Sequence, residues 1–165
     1  MRDRSSSVKE QPPGHPVDDV PASGTNVLFD VWLVSRSTTG ILDAALAPSG
    51  LTADEFGIYS VLTASDTTTP TELARWLSAP PTTVSSSIKR IEARGHAVRE
   101  RNPADGRSYV LRLTDAGRSA HAEAGACFLP VLEAVVDALG SREAGVRRAL
   151  ADLRTSLDAI DGARR

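Results

Sequence analysis

The stretch PTELARWLSAPPTTVSSSIKRIEARGHAVRERNPADGRSYVLRLT, from Pro70 to Thr114, decides the fold. Thr69, Pro70 and Glu72 supply an N-cap, a first-turn proline and the third-position acid of a capping box, so a short helix is expected from about Pro70 to Leu77. Ser78 to Pro80 is the turn after it. A second helix opens at Pro81 and stops at Gly95, a residue suited to the left-handed conformation just past a helix end. Inside it Val84, Ile88 and Ile91 step by four and then three residues and form one buried stripe. Ala97 to Arg101 and Ser108 to Leu113 read as strands, with Asn102-Pro103-Ala104-Asp105-Gly106 as the turn chemistry between them.

Helix, turn, helix and hairpin in that order are the layout of a winged helix-turn-helix, which sets one helix in the major groove of duplex DNA and a hairpin beside it. Opposite the buried stripe the second helix carries Thr82, Ser86, Lys89 and Arg90, with Thr83 and Ser85 at the flanks. Small hydroxylated side chains backed by cations suit close approach to a groove. An ordinary solvated face is the plainer account of such a stripe. The hairpin presents Arg101 and Arg107 near its tip, where an arginine is placed to enter the minor groove, and Asp105 is expected to hold the Arg107 guanidinium by a charge-assisted hydrogen bond. An Asp-Gly-Arg sequence is also commonly just a turn.

Helical periodicity continues on both sides of this centre. Val27, Leu28, Val31, Trp32, Val34, Ile41, Leu42 and Leu46 recur at helical spacing from about Asn26 to Leu46, and Thr52 with Glu55 forms the capping box of a helix through Phe56, Tyr59 and Leu62. Phe128, Leu132, Val135 and Leu139 form one seam. After Gly140 and the candidate N-cap Ser141, Val146, Leu150, Leu153, Leu157 and Ile160 form another. Such seams pack within one subunit or against a second copy, and the two-fold symmetry of DNA half-sites favours the second arrangement.

The chain has 165 residues, 41% hydrophobic and 24% charged, which fits one soluble domain with tails. Residues 1–24, rich in Ser, Pro, Asp and Gly, are expected to be a disordered tail rather than a targeting peptide. Residues 25–165 are then a single domain, with 25–66 and 115–162 as a helical dimerisation region and 67–114 as the DNA-binding lobe. No uninterrupted apolar stretch approaches the roughly 20 residues of a membrane span, and a cytoplasmic location is expected. The net charge is −2, yet Thr71 to Arg112 holds eight basic residues against four acidic ones, so a basic module sits in an acidic frame. Cys127, the only cysteine, excludes an intramolecular disulfide and a cysteine zinc cluster, and reads as a buried inert thiol. His15, His96 and His121 share no metal-ligand spacing, and neither G-x-S-x-G nor a phosphate-cradling loop occurs. No enzyme activity, metal or cofactor is expected.

The segments Leu73-Ala74-Arg75-Trp76-Leu77, Thr82-Thr83-Val84-Ser85, Ile88-Lys89-Arg90-Ile91-Glu92-Ala93-Arg94-Gly95 and Asp105-Gly106-Arg107 before Leu113-Thr114 resemble the MarR (multiple antibiotic resistance regulator) family of transcription factors. The resemblance covers about Val27 to Ile160. It implies a mainly α fold with a small β-hairpin wing, a winged helix-turn-helix flanked by N- and C-terminal dimerisation helices. It further implies a homodimer that binds double-stranded, pseudo-palindromic operator DNA, usually as a repressor. Arg107 would reach the minor groove with Asp105 supporting it. The family pattern usually has glycine at Ser78 and commonly arginine at Ser86, so operator preference does not carry over. Many relatives respond to small aromatic acids or phenols, and Trp32, Phe56, Tyr59 and His121 are the candidate lining of such an effector pocket; each also reads as ordinary core or surface. The competing functional class is a winged-helix protein-interaction or structural module without specific DNA binding.

Overall fold

The computed structural model describes residues 26–162; the expectation of a disordered tail at 1–24 lies outside them. Six helices and one hairpin follow in order: α1 (Val27–Leu46), α2 (Ala53–Ser65), α3 (Pro70–Trp76), α4 (Pro81–Ala93), β1 (Ala97–Arg101), β2 (Tyr109–Leu113), α5 (Asp115–Leu139) and α6 (Glu143–Gly162). A 3-10 turn, Ala47–Ser49, follows α1 and another, Gly140–Arg142, separates α5 from α6. The latter contains Ser141, the expected N-cap, and the last helix starts at Glu143.

The helix starts are where local chemistry puts them. Asn26 Oδ1 accepts from the amides of Leu28 and Phe29 and caps α1. Both capping boxes are complete: Thr52 with Glu55 opens α2, and Thr69 with Glu72 opens α3. Thr114 caps α5 by accepting from the Gly117 amide, and its hydroxyl donates to the Gly95 carbonyl at 2.7 Å. Gly95 ends α4 with φ of 72°. Ser78, where the family's glycine usually stands, takes φ of 48° and so adopts the same left-handed region with a side chain attached.

The chain divides into two compact units, the first ending at Thr38. Within the first, Trp32 stacks on Phe29 with centroids 5.7 Å apart, and the Arg36 guanidinium lies 5.9 Å from the Trp32 ring. Within the second, Leu46, Leu51, Ile58, Tyr59, Leu62, Leu73, Val84, Ile88, Ile91, Leu111, Leu113 and Ala124 make one buried cluster. The stripe Val84, Ile88, Ile91 therefore faces the core, as its spacing predicts. The antiparallel hairpin pairs Ala97 with Leu113 and Arg101 with Tyr109. Its inner strand is also joined to the residue ahead of α3: the Thr68 amide donates to the Leu111 carbonyl and the Leu111 amide to the Thr68 carbonyl, at 3.1 and 2.9 Å. The wing is thus bonded to the start of the helix-turn-helix.

Beyond Phe128, which packs against this cluster, most of the two seams lies bare. In the second unit Leu129, Leu132, Val135 and Val136 of α5 and Val146, Leu150, Leu157 and Ile160 of α6 are exposed. By length and composition alone the run Asp115–Gly162 is apolar enough to cross a membrane, which sequence reading did not anticipate. It also holds Pro130, Glu133, Asp137 and the Gly140–Arg142 turn.

Candidate nucleic-acid interface

On α4, Thr82, Thr83, Ser85, Ser86, Lys89 and Arg90 are all exposed, while Val84, Ser87, Ile88 and Ile91 are buried. The polar face predicted from the helical wheel is therefore outward. Ser86 donates its only hydroxyl proton to the Thr82 carbonyl at 3.0 Å, so it offers outward lone pairs, suited to a donor on a base edge rather than to a phosphate oxygen.

The ion pairs sort the basic residues into two sets. Arg90 Nε and Arg94 Nη1 each donate to Glu55, both at 3.1 Å. Arg99 makes two bonds to Glu92 and lays its guanidinium 4.4 Å from the centroid of the Tyr109 ring. Arg112 pairs with Glu100 across the hairpin. Arg75, Lys89, Arg101 and Arg107 have no ion pair among the described residues and all four are exposed, Arg75 with Glu72 near enough that its charge helps to lower that carboxyl's pKa. An exposed cation without an internal counter-charge is the group available to neutralise phosphate.

At the wing tip the turn is built by side chains bonding the backbone. Asn102 Oδ1 accepts from the Ala104 amide, and Asp105 Oδ1 accepts from the Arg107 amide at 3.1 Å. Asp105 therefore shapes the turn through the Arg107 backbone, and no bond from the Arg107 guanidinium to its carboxylate is formed among the described residues. The Arg101 guanidinium folds over Gly106, where a Cβ would stand 2.7 Å from its Nη2.

Glu55, which its sequence spacing marks only as part of a capping box, is also the centre of an ion-pair cluster. Its side chain is 2% exposed. Burial pushes its pKa up, but the bonds from Arg90 and Arg94 and from the Thr52 amide outweigh burial and hold the carboxyl below its ordinary value. The hydroxyl of fully buried Tyr59 lies 2.8 Å from His96 Nδ1 and feels the Arg94 charge, while burial holds its pKa above the ordinary value. Arg90 completes a second bond to Ser87. Arg90, expected to face DNA, lies on the exposed face of α4 and is also paired with the scaffold. The two partners lie 35 residues apart, beyond any local spacing rule.

Of the candidate effector residues, Phe56 and His121 meet in the second unit, Tyr59 of the same unit sets its ring edge-on to His96 instead, and Trp32 belongs to the first. Phe56 and His121 form a packed joint. Phe56 stacks on His121 at 5.2 Å and meets Phe128 at 5.3 Å, and the His121 ring nitrogens lie 3.0 Å from Ser60 Oγ and 3.1 Å from Thr63 Oγ1. Burial pushes the His121 imidazole below its ordinary pKa. A cavity of about 150 Å³ lies elsewhere, behind α4, among Gly57, Leu77, Ala79, Thr83, Val84 and Ser87.

A model of the MarR family matches residues 49–108, the region of this interface. The HTH-type transcriptional repressor Rv2887 of Mycobacterium tuberculosis strain H37Rv is 33% identical over 102 residues, covering 62% of this chain and 70% of the relative. The chain belongs to the MarR family. The repressor Mb2911 of Mycobacterium bovis matches to the same extent. Among solved structures, the M. tuberculosis transcriptional regulator MosR in complex with DNA superposes with a TM-score of 0.72 at 26% identity, covering 82% of this chain and 98% of MosR. The transcriptional repressor CouR bound to a 23-mer DNA duplex gives 0.67 at 26% identity, covering 81% and 92%. This MarR-family chain is therefore a transcriptional regulator with the family's winged-helix fold, and its relatives are regulators rather than enzymes.

Proposed function

We propose that this MarR-family regulator is a homodimeric repressor that binds pseudo-palindromic double-stranded DNA in the cytoplasm. In this reading α4 enters the major groove with Thr82, Thr83, Ser85 and Ser86 toward base edges and phosphates, and Lys89 neutralises phosphate. The wing carries Arg101 and Arg107 to the adjacent minor groove on a turn shaped by Asp105. The observation that carries the reading is the sorting of charge. Arg90, Arg94, Arg99 and Arg112 are neutralised internally, while Arg75, Lys89, Arg101 and Arg107 are left exposed on α3, α4 and the wing. That explains how a chain of net charge −2 presents a cationic reading surface.

Dimerisation is supported by the bare seams. A row of exposed Val, Leu and Ile along α5 and α6 exceeds what a soluble monomer ordinarily leaves in water, and two-fold pairing through these helices would bury it. Release by a small aromatic effector belongs to the same proposal. At the α2–α5 joint such a molecule must part the Phe56–His121 stack, because those ring faces already cover each other.

The test is fluorescence anisotropy of the purified protein on duplex DNA from upstream of its own gene and on a scrambled duplex, at several salt concentrations. Preference for the upstream duplex with a steep salt dependence is expected. No binding to either duplex, nor to any sequence recovered by selection from a random pool, would replace DNA reading with a protein-interaction role.

A further inference from the structure

We infer that Glu55 is a positioning residue for DNA reading: from the core of α2 it holds Arg90 and Arg94 away from phosphate and fixes the angle of α4 and the base of the wing. This rests on the DNA-binding reading above. Three donors converge on one buried carboxylate, the two guanidiniums at 3.1 Å and the Thr52 amide at 3.3 Å. A carboxylate in that position without its cations is strongly disfavoured, so the pairing is a firm restraint between α2 and the last turn of α4 with its C-cap. The Arg94 charge also acts on the Tyr59 hydroxyl, which lies 2.8 Å from His96 Nδ1, and the His96 carbonyl accepts from the Thr114 amide at the foot of the wing. The arginine side chains are 53% and 38% exposed, so their heads stand at the surface with their charge cancelled from beneath. Remove the carboxylate charge and two surface arginines are released toward DNA, on a helix that has lost its restraint.

The two effects have opposite consequences. Binding to DNA of arbitrary sequence tightens, and discrimination falls. The experiment compares full-length wild type with Glu55→Gln on a duplex enriched by the wild type from a random pool and on a mixed-sequence duplex, across a salt series, with hydrogen exchange on both free proteins. Each added phosphate contact steepens the log–log salt dependence by about 0.9. Glu55→Gln should steepen it by one to two such contacts on the mixed duplex, cut the preference for the enriched duplex about tenfold, and lose amide protection along α4 while α5 keeps its own. Unchanged salt dependence, preference and α4 protection would overturn the inference.

Arg90→Met serves where Glu55→Gln does not fold, because Arg94 still neutralises the carboxylate. It should lower the preference and leave the salt dependence as in wild type; a dependence shallower by about 0.9 would mean that Arg90 touches phosphate and would also overturn the inference. If the wild type enriches nothing and binds neither duplex, the DNA-binding reading is what fails. The positioning role is then decided by α4 protection in Glu55→Gln alone.

Discussion

The carbonyl oxygen of His96 occupies the space where a side chain on Gly117 would begin: a Cβ there would stand 2.0 Å from it. That carbonyl also accepts the Thr114 amide, so it cannot retreat without undoing the junction between the wing and α5. Gly117→Ala should destabilise the protein by about 1–3 kcal/mol or more, as overpacking against backbone does. Urea denaturation reads it, and an unchanged midpoint would show that α5 starts elsewhere.

Ser78 makes the reverse case. Its φ of 48° is a conformation that costs a residue with a Cβ about 1 kcal/mol or more and glycine almost nothing. Ser78→Gly should therefore raise the melting temperature while leaving DNA affinity unchanged. A lower melting temperature would mean that the turn is not left-handed in solution.

Lys89→Ala and Arg107→Ala should each weaken DNA binding and make its salt dependence shallower by about 0.9, with helical content and oligomeric mass unaltered. Both side chains are exposed and neither has an ion pair among the described residues, so nothing in the fold depends on their charge. Affinity that stays at the wild-type value in both variants would remove α4 and the wing from the groove.

The acid limb of stability should belong in part to Glu55. Its pKa is lowered in the folded protein, so its stabilising effect is present above the ordinary carboxyl value of 4.5 and is lost as pH falls through the folded value. The stability difference between wild type and Glu55→Gln should accordingly be full near neutrality and shrink below about pH 4.5. A difference that does not change with pH would mean that the carboxylate is not paired in solution.

Leu150 on α6 is 52% exposed in a single chain, within the seam from Val146 to Ile160. Leu150→Glu should shift the mass found by light scattering at micromolar concentration from dimer toward monomer. A wild type that is already monomeric there would refute pairing through these helices.

What was legible in the sequence is what local spacing encodes. Thr52 and Glu55, or Thr69 and Glu72, are three residues apart, and that interval suffices to start a helix and to build its capping box. Val84, Ile88 and Ile91 declare the buried face of α4 by period alone. Glu55 shows the limit. Its cap was readable at an interval of three, whereas its bonds to Arg90 and Arg94 join segments that meet only after α2 and α4 pack. Eight basic residues in one stretch look alike in composition, and only the folded partners divide the neutralised from the exposed. Asp105 was assigned the Arg107 side chain and bonds its backbone instead, a distinction of one residue's two ends that spacing does not carry. Trp32, Phe56, Tyr59 and His121 were grouped by aromatic character; Trp32 falls in the first unit, Phe56 stacks on His121, and Tyr59 turns to His96. The Thr68–Leu111 bridge left no sign in the sequence, since one threonine in a run of three looks like the others.

That bridge has a mechanical consequence. Because the residue before α3 and the inner strand of the wing exchange both of their amide bonds, the helix-turn-helix and the ribbon are the two jaws of a calliper whose gap is set before DNA arrives. On the proposed mode of binding, a duplex whose neighbouring grooves do not match that gap must itself bend or twist to be gripped. Groove spacing is then measured by a fixed gauge, and sequences that deform easily are favoured at base pairs no side chain touches.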